Sequence, residues 1–201
     1  MSERHKKRPA LIIALSLLAP AAAFAQTPVK AEEPALLTSC GQSPGPVMLK
    51  VVMQRVPIAY ELNPLAAADD LKAKKEAGTP YKSLVIVMGA SLKGMGAAGI
   101  SIEDELRRTA ALIEEARKEG ILVIGAHIEG MKRRSQGASA GDTTDEQSID
   151  AVAPNADLLL INKEGDSDGR FTAIAEAKKI PLIAVEKNLD LVAALKTLYG
   201  K

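Results

Sequence analysis

Tryptophan is absent from the 201-residue chain, phenylalanine occurs twice, and Phe171 is the only one beyond the N-terminal region. A core built from these residues must be aliphatic, and aromatic platforms for stacking bases or sugars are scarce. Cys40 is the single cysteine, so no internal disulfide can form. Beyond His5 the only histidine is His127, and one His with one Cys cannot make a structural zinc site without carboxylates. Asp166-Ser167-Asp168-Gly169 has the beginning of a calcium loop but lacks the third ligand position and the distal Glu. No metal and no cofactor is expected.

Charge of one sign is lacking too. The whole chain carries 26 basic and 25 acidic residues; without residues 1–25, which hold four basic side chains and Glu3, the balance is 22 to 24, a formal charge of −2. Such a domain has no electrostatic footprint for nucleic acid. After residue 25 there is no apolar run of the ~20 residues that a spanning helix needs, so the mature form is expected not to span a membrane.

The N-terminus reads as a secretory signal. Arg4, Lys6, Lys7 and Arg8 form a basic n-region, Leu11 to Leu18 an apolar h-region, and Ala23-Phe24-Ala25 a small-x-small cleavage site before Gln26. The apolar run is short for an uncleaved anchor, and Pro20 interrupts it. The expected address is the periplasm. Leu37-Thr38-Ser39-Cys40 has the outline of a lipobox, but a polar segment separates it from the h-region, which argues against lipidation. Residues 26–35, bearing Pro and Glu and lacking periodicity, read as a disordered leader, and 36–201 as one α/β domain.

Within that domain, strands and helices alternate without a break. Apolar runs at Leu36–Ser39, Ile58–Leu62, Leu84–Met88, Ile121–Ile128, Asp157–Asn162 and Pro181–Val185 read as strands, separated by helical segments. The best-signalled helix starts at Ser101, places Ile102, Leu106, Ala110, Ile113 and Ala116 in one stripe, and stops at Gly120. This pattern implies a three-layer, doubly wound, mostly parallel sheet of five to six strands. A flavodoxin-like order with an added edge strand is expected, with a Rossmann-like order as the alternative.

Ligands of such sheets bind outside the carboxyl ends of the strands. Four loops should meet there: Cys40 to Gly45, Gly89 to Gly99, His127 to Gly141 and Asn162 to Gly169. The candidate ligand-binding residues are Ser39, Gln42, Ser43, Ser91, Lys93, Gly94, Gly96, His127, Glu129 and Arg133. Backbone amides at Gly94 and Gly96 would take an anionic group, Lys93 and Arg133 within Lys132-Arg133-Arg134 would neutralise it, and Glu129 or Gln42 would read a hydroxyl or amine. Gly94-x-Gly96-x-x-Gly99 has the form of a dinucleotide motif but follows the third strand rather than the first, and no ribose-binding acid stands at the usual interval. The same glycines also fit a sharp strand-to-helix turn with no ligand at all.

Three functions stay open. One is capture of a small anionic solute, with an envelope transporter or membrane partner downstream. The second is a hydrolase or transferase in which His127 activates Cys40 and Glu129, Asp142 or Asp145 orients the histidine. The third is a periplasmic protein-interaction module. Thr38-Ser39-Cys40-Gly41-Gln42-Ser43-Pro44, Val87 to Gly99, His127-Ile128-Glu129-Gly130-Met131 and Ser148 to Pro154 resemble an uncharacterised family of exported bacterial domains. That resemblance implies no activity and no assigned residue; it groups the polar loops together.

Overall fold

Short apolar runs bounded by turn residues become buried parallel strands when helices cover both faces of a sheet. Residues 29–134 and 143–201 are described by a computed structural model. Its strands are β1 (Ala35–Cys40), β2 (Tyr60–Leu62), β3 (Ser83–Met88), β4 (Leu122–His127), β5 (Leu158–Asn162) and β6 (Leu182–Val185). They form one sheet in the order β2-β1-β3-β4-β5-β6, parallel throughout. This is the flavodoxin-like order with one added edge strand.

The helices are α1 (Gly45–Met53), α2 (Ala68–Glu76), α3 (Leu92–Ala98), α4 (Ile102–Glu119), α5 (Thr144–Val152), α6 (Arg170–Lys178) and α7 (Leu191–Leu198). From β1 the chain steps outward to β2 and then back across β1 to β3; right-handed crossovers in opposite directions put their helices on opposite faces. Leu71, Leu112, Ile149 and Phe171 from α2, α4, α5 and α6 pack on Leu36, Leu84, Ile86 and Met88. Leu49, Met53, Leu191 and Leu195 from α1 and α7 pack on Leu37, Val85, Val87 and Ile124. The core is aliphatic apart from Phe171, two tyrosines and the histidine, as the composition requires.

Three local expectations change. Residues 29–34 are not a loose leader: Ala31 is buried and donates to the Leu198 carbonyl, Lys82 donates to Pro34, and Glu33 pairs with Lys201. On α1, where the sequence offers Val47, Val51 and either Leu49 or Val52 as packing positions, the residues that pack are Leu49, Val52 and Met53, while Val47 and Val51 face outward. The inward face of α4 is Glu105, Thr109, Leu112, Ile113 and Ala116, so the stripe is rotated from the one expected and Ala110 is exposed. The signal segment, residues 1–25, and Asp142 lie outside the described residues. No helix among the described residues is long and apolar enough to cross a membrane.

Candidate functional site

The sheet order reverses between β1 and β3, and their carboxyl ends should leave a crevice there. Here backbone closes it. Ser91 N–H donates to the Gly41 carbonyl at 2.7 Å, Gln42 and Ala90 form an isolated bridge, and a Cβ on Gly41 would lie 2.5 Å from the Gly89 oxygen. Gly41 has φ +105°, a conformation that glycine permits, and Gln42 has φ +56°.

Beneath the closure is a buried carboxylate the sequence reading missed. Glu105 on α4 accepts from the Gly41 amide and the Gln42 side chain, both at 2.8 Å, and pairs with Arg108, whose guanidinium also reaches the Ser39 carbonyl and Ala66. Gln42 and Ser39 are therefore committed inward; the Ser39 hydroxyl takes the Gln42 amide at 2.9 Å. Ser39 is fully buried, and the Gln42 side-chain NH2 is spent on Glu105 and the Pro64 carbonyl.

The glycine-rich stretch is not an anion loop. Its first half winds into α3, where Ser91 is the N-cap and accepts the Gly94 amide at 3.1 Å. A Cβ on Gly94 would lie 2.1 Å from the Gln42 carbonyl, so this glycine is set by close packing. Gly96 lies within the helix, and Lys93 is exposed with no ion pair among the described residues. None of these residues bonds to Glu129 or Arg133 among the described residues.

Cys40 and His127 do not meet either. Cys40 is in register with Met88, and the β3–β4 register carries Met88 on to His127, so two strand spacings, about 9.6 Å, separate them, with Met88 between. Burial pushes the Cys40 thiol up to about 12, and the nearby Glu105 carboxylate adds to the shift. Burial also holds the His127 imidazole below its ordinary range, so the ring is neutral. Its nitrogens face the Met88 and Gly130 carbonyls at 3.2 and 3.1 Å, and its face lies against Phe171. This is a packed histidine rather than an activating base.

What does come together is Ser43, Glu129 and Arg133. Arg133 donates to Ala90 O at 2.8 Å and to Glu129 Oε1 at 3.3 Å. The Ser43 hydroxyl accepts the Gly45 amide at 3.2 Å. Asp145 accepts the Ala90 amide at 2.7 Å; burial pushes its carboxyl up, opposed by that bond and by Arg133. Glu129 and Arg133 line a cleft of about 490 Å³ between the start of α1 (Pro44, Met48) and the loops after β4, β5 and β6. Lys132, Glu164 and the bonded pair Asn162–Asn188 complete its wall. A larger hollow, about 570 Å³, lies at the opposite edge beside Lys82 and Arg117, where the strands begin. The carboxyl edge is the chemically better placed of the two, because α1 and the polar loops converge on it.

The third residue of the basic cluster has a different fate. Arg134 is buried, bonded to Glu146 Oε1 at 2.7 Å, to Asp168 at 2.6 Å and to the Gly165 carbonyl, and stacked over Phe171. Arg170 adds contacts to Glu146 and Asp150. This network ties the loop after β4 to the loop after β5 and holds the cleft wall in place. No group of His, Cys, Asp and Glu among the described residues is arranged to hold a metal ion.

Solved structures with some likeness include a putative lipolytic protein of the G-D-S-L family from Desulfitobacterium hafniense DCB-2, at 16% identity, 75% of each chain and a TM-score of 0.33. A GDSL-like lipase from Bacteroides thetaiotaomicron VPI-5482 gives 14% identity over 77% of this chain and 71% of that one, with a TM-score of 0.33. An aminotransferase from Mycobacterium tuberculosis gives 11% identity over 85% of this chain and 44% of that one, with a TM-score of 0.37. Likeness at this level carries no chemistry across. No curated protein matches the chain. A family model described as a domain of unknown function (DUF6305) matches residues 32–199, nearly the whole described structure, and the chain belongs to that family.

Proposed function

We propose that this chain is an exported domain that binds a small solute carrying an anionic group, in the cleft between α1 and the loops after β4, β5 and β6. The observation that supports it is a pair of cations with uncommitted donors on that wall. Lys132 is exposed, and Arg133 uses Nε and Nη1 in its own bonds and leaves Nη2 over among the described residues. The cleft falls within the usual size range for small-molecule sites, ~300–1,000 Å³. Export through a cleaved signal would put the domain in the periplasm, where an envelope transporter or membrane partner would receive the solute.

The test is thermal unfolding of the protein against carboxylates, phosphate, sulfate and amino acids. A ligand at about a hundredfold its dissociation constant adds roughly 2.7 kcal/mol and raises the midpoint. Lys132→Ala should reduce the shift. A flat response across the panel removes the solute reading. Weight would then pass to a protein-docking role, which the outward Val47, Met48 and Val51 of α1 favour; their exposures are 56%, 39% and 52%.

A further inference from the structure

We infer that the solute also carries a cationic amine, so that the cleft takes a zwitterion of the amino-acid class; this rests on the solute-binding reading above. The observation is an unpaired oxygen. Glu129 is 7% exposed at its side chain, and only Oε1 is used, by Arg133 at 3.3 Å. Oε2 is buried with no hydrogen-bond partner among the described residues. A desolvated carboxylate oxygen without a donor is costly, and native structures seldom leave one without a reason.

The surroundings define the missing donor. Glu129 lines the cleft, and a Cβ on Gly45 would lie 3.3 Å from its Oε2, so that oxygen packs at the start of α1 where the cleft meets the helix. Val87 stands 2.6 Å from that Cβ position, which is why only glycine fits at residue 45 and α1 can start against the sheet. Ser43 Oγ already accepts the Gly45 amide. An anionic acceptor on the cleft wall calls for a positively charged donor, which an ammonium group is. The wall is also balanced in sign, with Lys132 and Arg133 against Glu129 and Glu164. A purely anionic solute would satisfy the cations and leave Glu129 Oε2 desolvated and unpaired. An α-amino acid satisfies both.

The experiment pairs each amino acid with its deaminated counterpart in titration calorimetry on the purified protein: glutamate with glutarate, alanine with propionate, phenylalanine with 3-phenylpropionate. At least one amino acid should bind tenfold or more tightly than its partner. Glu129→Gln, which keeps the side-chain volume, should bring that ratio close to one while circular dichroism shows the fold retained. Equal binding within every pair in the unmodified protein overturns the inference and leaves the anionic-solute reading standing. A preference that survives in Glu129→Gln overturns the assignment to Glu129. Absence of binding by both series and by phosphate and sulfate overturns the solute reading itself.

Discussion

The Glu105 carboxylate, fully buried on α4, holds the Gly41 amide at 2.8 Å across 64 residues of chain. Through this bond, and a second to Gln42, the helix after β3 fixes the loop after β1. Glu105→Ala should destabilise the protein by about 3–5 kcal/mol, because it leaves the Arg108 charge uncompensated and the Gly41 amide without its acceptor. Replacing Glu105 and Arg108 together with leucines should cost less than the two single changes added. Denaturant unfolding of the double-mutant cycle measures both.

Gly94 and Gly96 should respond in opposite directions to alanine. Gly94→Ala drives a methyl group into the Gln42 carbonyl and should cost roughly 1–3 kcal/mol. Gly96→Ala meets nothing within 4 Å inside α3 and should be neutral or stabilise by up to about 1 kcal/mol. Two thermal melts distinguish this packing role from an anion-binding role, in which both substitutions would act through ligand affinity.

Cys40 should be inert in the native protein. With its thiol pushed up to about 12 by burial, it should react with an aromatic disulfide reagent at pH 8 only as fast as the fold opens, and at once in denaturant. Fast native labelling would show that the β1 terminus is open.

Stability should fall as pH drops from 7 toward 5.5. Burial lowers the folded-state value of His127 below its ordinary 6.5, so the unfolded chain takes up a proton that the folded one refuses. The stabilisation is complete above the unfolded value and is lost as pH falls below it. The limiting slope is about 1.4 kcal/mol per pH unit. Chemical denaturation at half-unit steps checks it, and His127→Gln should flatten the slope in that window.

Much of the fold was legible because it rests on period and length. Leu84 to Met88 is apolar at every position, which suits only a strand covered on both sides, and Leu191, Leu195 and Leu198 mark the inner face of α7. The glycine-rich stretch was less legible. Leu92 to Ala98 contains two glycines and reads as loop, yet Ser91 caps it into a helix, and Gly94 packs against the Gln42 carbonyl. Glu105 was hidden because a carboxylate on an amphipathic helix normally faces water; only the fold brings Arg108 and Gly41 to it. Ser43, Glu129 and Arg133 were named from their places at strand ends, and those places were enough to bring them together. Lys93 and Gly96 were named on the same grounds and stand apart, since α3 carries them away from the loop after β4.

A solute site in the cleft beside Glu129 is tested most directly by an amide chemical-shift titration of the isotope-labelled protein with small carboxylates and amino acids. Saturable shifts confined to residues 43–48, 128–133 and 162–164 are the result expected. Shifts centred instead on residues 92–99 or on the hollow beside Lys82 and Arg117, or no shifts at millimolar ligand, would contradict it.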